Sequence, residues 1–130
     1  LGILYQICDL QFEGCYMFLK NHRYIFINQN LPEHEQRLVM AHELGHALLH
    51  GRKIVILFVT NTFTEFQKEI EANKFAMELL LPDSFLAEYR DFTIDQISRM
   101  TDITKTDSAS SWELIISERS ETILNEDKLF

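Results

Sequence analysis

No stretch of this 130-residue sequence is apolar enough to cross a membrane. The longest apolar run, Ile54–Val59, has the length of a β-strand and falls far short of the roughly 18 residues a span requires. Basic charge is scarce too: 12 Lys and Arg stand against 20 Asp and Glu, for a net charge of -8. That balance argues against a nucleic-acid backbone or an anionic membrane as the main partner, because both are bound through basic patches. Cysteine is limited to Cys8 and Cys15, too few for a disulfide framework, and both are expected as buried thiols. The opening Leu-Gly-Ile-Leu-Tyr has neither Met nor a basic segment ahead of an apolar one, so no signal peptide is expected there. The missing Met leads us to expect a chain that begins partway into a longer protein. Internal repeats and low-complexity tracts are absent. What is present, 46% hydrophobic and 25% charged residues, is the balance of a soluble globular protein, and with nothing to signal export a cytoplasmic location is expected. At 15.3 kDa a single domain over residues 1–130 is expected. Its core would span about 1–100, followed by a polar linker at 101–111 and a C-terminal helix and tail at 112–130.

The β signals come first. Gly14–Lys20 and Arg23–Asn28 are rich in aromatics and Ile, with Asn21-His22 as a two-residue turn between them, so they predict an antiparallel hairpin; residues 3–8 supply a possible third strand. The period then changes. Pro32, Glu33 and Glu35 suit a helix start, and Leu38, Ala41, Leu44, Gly45, Leu48 and Leu49 recur at helical spacing until Gly51 ends the pattern. Residues 53–60 have the composition of a short strand. Thr62-x-x-Glu65 is a capping box opening a second helix that stops before Pro82, with Ala72, Phe75, Ala76, Leu79 and Leu80 as its apolar face. Shorter helices are predicted near 83–90 and 94–100, the latter opened by Thr93-x-x-Gln96. A last amphipathic helix near 112–124 carries Trp112, Ile115, Ile116, Ile123 and Leu124. Strands followed by helices define an α+β domain, a small antiparallel N-terminal sheet packed on a helical core.

Inside the first predicted helix lies His42-Glu43-Leu44-Gly45-His46, an HExxH motif. Residues four apart share a helix face, so both imidazoles can reach one ion, and Glu43 beside the first can take a proton from a water in the open coordination position. A third protein ligand is needed. Residue 52 is Arg, which excludes the metzincin arrangement with its third His six residues beyond the second; the acidic second helix offers Glu65, Glu69, Glu71 and Glu78 instead.

His42-Glu-Leu-Gly-His-Ala-Leu-Leu-His50, followed by Glu69-Ile-Glu-Ala-Asn-Lys-Phe-Ala76 and Leu79-Leu-Leu-Pro82, resembles the ImmA/IrrE metallopeptidases over about residues 14–100. The resemblance implies a zincin-like fold, a Zn2+ cofactor held by His42, His46 and Glu69, and Glu43 as the catalytic acid and base. It further implies a phage or mobile-element antirepressor: an endopeptidase whose protein substrate is a helix-turn-helix repressor, with no direct nucleic-acid or membrane partner. Residues after Met100 match nothing in that pattern. Helical phase agrees with Glu69. The apolar face centres about 60° from Glu69 and about 100° from Glu71, which is therefore expected to reach solvent, while Glu65 is engaged in the cap.

Several residues carry plainer readings. His50 is expected to face the negative end of the first helix, His22 to sit in the turn and His34 on the surface. Tyr16 and Tyr24 could donate to a developing oxyanion, though packing is the simpler role. Two further functions compete with the peptidase. One is a zincin-fold module that sequesters a regulator without cutting it, against which the intact Glu43 counts. The other is a DNA-binding regulator using Thr93–Met100, against which the acidic charge and the lack of a basic recognition helix count.

Overall fold

Aromatic and branched side chains at alternate positions build the sheet. In the computed structural model, which describes residues 2–50, 63–101 and 109–128, β1 is Ile3–Cys8, β2 is Gly14–Leu19 and β3 is His22–Asn28. The strand order is β1-β3-β2. β2 pairs antiparallel with β3, Gly14 opposite Ile27 through Leu19 opposite His22, whereas β1 pairs parallel with β3, Ile3 opposite Arg23 through Cys8 opposite Asn28. The α+β class stands, but the sheet is mixed where an antiparallel one was expected. The reason is the 9–13 connection, which crosses the end of β3 and delivers β2 to its far side. There the Asn28 N–H donates to the Glu13 carbonyl at 2.9 Å and the Gln29 N–H to the Cys8 carbonyl at 2.8 Å. The hairpin turn is Lys20-Asn21, one residue earlier than predicted. Both residues take positive φ, 49° and 62°, the backbone that matches strand twist in a two-residue loop. His22 therefore belongs to β3.

The chain divides into two compact units, Leu1–Ala76 and Met77–Phe130. In the first, α1 (Glu33–Leu49) packs on β2 and β3. Tyr16, Ile25, Ile27 and Ala47 are buried there, flanked by Ile3, Phe18, Val39, Met40 and Leu44. A Cβ on Gly14 would stand 2.5 Å from Val39 Cγ1 and 2.8 Å from the Phe26 carbonyl oxygen, so only glycine lets α1 lie this close to the sheet. Pro32 is the N-cap of α1, and His50 its C-cap, with its N–H bonded to the His46 carbonyl. The buried positions of α1 include Leu38, Ala41, Gly45 and Ala47 but also Glu43 and His46, while Leu48 and Leu49 are exposed. Apolar spacing misjudged that face because polar residues occupy part of it.

α2 (Phe63–Leu80) begins where the capping box predicts; Thr62 and the expected strand at 53–60 lie outside the described residues. A Cβ on Gly45 would meet the Ala72 Cα at 3.0 Å and the Ala72 carbonyl oxygen at 3.1 Å, so α1 and α2 touch backbone to backbone at this point. Gly45→Val is expected to force them apart and cost about 1–3 kcal/mol, the usual penalty of overpacking, despite valine's better helix propensity. Urea unfolding of the two proteins measures the difference.

In the second unit, α3 (Asp83–Glu88) and α4 (Ile94–Thr101) both contact α5 (Ala109–Lys128). The buried residues here are Met77, Leu81, Leu86, Ile97, Ile115 and Ile116. Leu79, expected on the apolar face of α2, and Leu124, expected on that of α5, are exposed. The predicted cap at α4 is present: the Thr93 N–H donates to Gln96 Oε1 at 2.8 Å and the Gln96 N–H to Thr93 Oγ1 at 3.2 Å. α5 starts three residues before its predicted boundary, and residues 102–108 of the expected linker lie outside the described residues. Arg119 of α5 donates to the carbonyls of Met77 at 3.0 Å and Leu81 at 2.6 Å and pairs with Asp83 at 2.8 Å, satisfying acceptors at the end of α2. Arg119→Ala strips all three partners at once and should cost about 1–3 kcal/mol in thermal or denaturant melts of the full chain. Among the described residues, no helix is long and apolar enough to cross a membrane.

Candidate metal centre

Four residues per helical step bring His42 and His46 together on α1, with ring centroids 4.7 Å apart. The close approach at Gly45 and Ala72 then brings Glu69 of α2 to them. His42 Nε2 lies 3.0 Å from one Glu69 carboxylate oxygen, His46 Nε2 lies 3.1 Å from the other, and the two Nε2 atoms are 3.1 Å apart. Among the described residues, His42, His46 and Glu69 form a group whose donor atoms all lie within 4.8 Å of one another, as a metal site requires. Glu71 and Glu78 do not join it, and the side chain of Glu65 lies outside the described residues.

The donor set fits an ion. A tetrahedral ion with ligands at about 2.0–2.2 Å holds neighbouring donor atoms about 3.3–3.6 Å apart, so adjustments of a few tenths of an ångström would suffice. Proton placement points the same way. His42 Nδ1 is 2.6 Å from Asn73 Oδ1, an acceptor that would keep a ring proton on Nδ1 and free Nε2 for an ion. His46 Nδ1 likewise faces outward, 3.0 Å from His50 Nδ1. Two imidazole nitrogens and a carboxylate thus converge, and a cation there would take the place of the protons they share.

Electrostatics bind the cluster together. Burial pushes the Glu69 carboxyl up, but hydrogen bonds from His42 and His46 and their charges outweigh it and hold the acid well below its usual range. For His42, burial favours the neutral ring, yet the bond to Glu69, the charges of Glu43 and Glu69 and the bond to Asn73 together raise its pKa. Glu43 is buried at 5% exposure. Its pKa is raised, first by burial; His42 and His46 pull it back, as does a hydrogen bond from the Tyr16 backbone N–H. Its Oε2 is buried without a hydrogen-bond partner among the described residues. A carboxylate in that setting accepts a proton readily.

Sequence reasoning missed Asn73. A buried asparagine four residues after Glu69 looks like an error on an apolar face until its contact with His42 is seen; the spacing of one helical turn was the available signal. It also misplaced the buried face of α2. Ala72, Asn73 and Ala76 are the buried residues near the site, and Glu69 lies within about 20° of their centre, nearer than the apolar pattern indicated. The Tyr16 side chain is core, 1% exposed, so packing is its role. Tyr24 is half-buried and stacks on Phe26 with centroids 6.2 Å apart. His34 stays at the surface beside Glu35. Both cysteines are free and half-buried; burial first, then the Glu43 and Cys8 charges, pushes the Cys15 thiol up to about 11.

The family described as the IrrE N-terminal-like domain, a peptidase family, matches residues 1–100. Uncharacterized immunity region protein 2 of Bacillus phage phi105 is 43% identical over 93 residues, which cover 69% of this chain and 59% of that protein. Metallopeptidase ImmA of Bacillus subtilis (strain 168) is 42% identical over 65 residues, 49% of this chain and 37% of that protein. The chain therefore spans less than two thirds of the length of the curated relatives it matches. No solved structure gives a significant match.

Proposed function

The chain belongs to the IrrE N-terminal-like domain family, and on that premise we propose that it is a gluzincin-type zinc endopeptidase cleaving a cytoplasmic helix-turn-helix repressor. The observation that carries the reading is the convergence of His42 Nε2, His46 Nε2 and both Glu69 oxygens at 3.0–3.1 Å beside a buried Glu43 oxygen that has no hydrogen-bond partner among the described residues. Two imidazoles and one carboxylate are a known catalytic zinc set, with a fourth position left for water or substrate. Zinc held there would supply Lewis acidity to water and to the scissile carbonyl.

The chain's own groups do the rest. His42, His46 and Glu69 would hold the ion from two helices, and Asn73 would keep the proton of His42 on the side away from it. Glu43 accepts the proton of the attacking water at its carboxylate and passes it to the leaving amine as the peptide C–N bond breaks. The Tyr16 N–H holds the other end of that carboxylate and comes from an edge strand, which supports β-addition of an extended substrate along β2. The name of the phage relative, an immunity region protein, supports a substrate among regulators of phage or mobile-element genes.

The test is incubation of the zinc-loaded protein with a candidate helix-turn-helix repressor, wild type against Glu43→Gln, read by mass spectrometry. Cleavage by wild type alone supports the proposal; capture of an intact repressor by both would make the protein a binding module. Stripping the metal with a strong chelator should abolish cleavage, and added zinc should restore it.

Acid should act like the chelator. A raised pKa means His42 keeps its proton to higher pH than an ordinary imidazole at 6.5, so protons displace zinc as pH falls through a window above that value. Zinc affinity measured from mildly alkaline to mildly acidic pH should show the loss.

A further inference from the structure

Coordination through Nε2 leaves the imidazole proton on Nδ1, so each ligand histidine needs an acceptor on its far side. His42 has an amide, Asn73. His46 has another histidine: His50 Nδ1 is 3.0 Å from His46 Nδ1, and His50 Nε2 is 2.9 Å from Glu71 Oε2. With the His46 proton on Nδ1 and His50 neutral, one arrangement satisfies all four atoms. His46 Nδ1–H donates to His50 Nδ1, and His50 Nε2–H donates to the Glu71 carboxylate. The other tautomer of His50 would set two N–H groups against each other across 3.0 Å.

The two links are built differently. The His50 side chain is only 6% exposed and is anchored at the C-cap of α1 by its N–H bond to the His46 carbonyl. Glu71 is 56% exposed, on α2 two residues after Glu69. Spacing predicted that His50 faces the helix end and that Glu71 reaches solvent. Glu71 does reach solvent, yet it also meets a buried ring at 2.9 Å.

We propose that His50 and Glu71 are positioning residues for the metal centre, a two-link arm that holds His46 in the tautomer and orientation presenting Nε2 to the ion. The inference rests on the reading of His46 as a ligand. It makes the two histidine ligands unequal, one backed by a neutral amide and the other by an imidazole and a carboxylate. A carboxylate behind an imidazole raises its basicity as a ligand.

Zinc alone is the probe, titrated into the full metal-free chain in competition with a chromophoric chelator, with circular dichroism as the check on folding. His50→Ala should weaken zinc binding about 10–100-fold, the usual consequence of losing such a partner. His50→Asn places its Oδ1 where Nδ1 was and should restore affinity to within about threefold of wild type, whereas His50→Gln sets its amide too far out and should not. Glu71→Ala, at an exposed site, should cost less, about threefold. A far-downfield, exchange-protected Nδ1–H proton of His46 should appear in NMR spectra of zinc-loaded wild type and His50→Asn and be missing from His50→Ala.

Zinc binding by folded His50→Ala or His50→Gln as tight as wild type would overturn the arm while leaving the metal site standing. If His50→Ala does not fold, the Asn and Gln pair decides. A wild-type protein that binds no zinc would overturn the metal reading itself, and the arm with it.

Discussion

Glu43→Gln is expected to keep its zinc and lose hydrolysis, with the rate falling about 10²–10⁴-fold from the missing general base. The two side chains have the same shape, so the Tyr16 N–H can still bond to the amide oxygen and the buried site around it need not rearrange. What changes is Oε2, the buried atom without a hydrogen-bond partner among the described residues. As a carboxylate oxygen whose pKa is raised chiefly by burial, it is a ready proton acceptor; an amide in its place is not. His42, His46 and Glu69 are untouched, so metal content should match wild type. Turnover of a cleavable repressor at equal zinc loading is the measurement, and a Glu43→Gln protein that cuts at wild-type speed ends the mechanism.

Glu69→Ala is expected to have the opposite signature, loss of the metal itself. Glu69 is the group from α2 whose two oxygens reach both Nε2 atoms, at 3.0 Å and 3.1 Å, and without it two imidazoles on one helix remain. Binding should weaken by orders of magnitude, since a site of two neutral ligands has lost its one anionic donor. Glu71→Ala should lose only a few-fold, because Glu71 meets the centre through His50. Zinc content after dialysis against a weak chelator separates them. A site emptied by Glu71→Ala and still filled in Glu69→Ala would reverse the assignment.

Much of the site could be read along the chain because its logic is local. The HExxH spacing is a single turn of helix, and a turn of helix needs only its own backbone hydrogen bonds to place two imidazoles side by side. Capping residues act over three positions, which is why Thr93 and Gln96 marked the start of α4 correctly. The hairpin was legible to within one residue: Lys20 and Asn21 both adopt positive φ without the glycine that would have announced the turn.

Other features depended on what lies across the fold. Whether β1 pairs parallel or antiparallel was set by where the 9–13 connection delivers β2, a matter of chain path that alternation along each strand does not encode. The apolar periodicity of α2 counted Leu79, which is exposed, and passed over Asn73, which is buried because His42 needs its oxygen. Periodicity assumes that burial follows hydrophobicity, and around a polar centre burial follows hydrogen bonding instead.

The local pattern of residues therefore decided the element types, the helix carrying His42, Glu43 and His46, and the family, since each depends on neighbours within a turn or a strand. Tertiary packing alone decided that Asn73 stands behind His42, that Glu71 stands behind His50, and that Tyr16 offers its N–H to Glu43. Those contacts join residues 21 to 31 positions apart, as in the pairs His50–Glu71 and His42–Asn73, or link a strand to a helix. They exist because α1 and α2 pack so closely at Gly45 and Ala72 that a Cβ on Gly45 would stand 3.0 Å from the Ala72 Cα, and the spacing of two helices is a property of the packed chain.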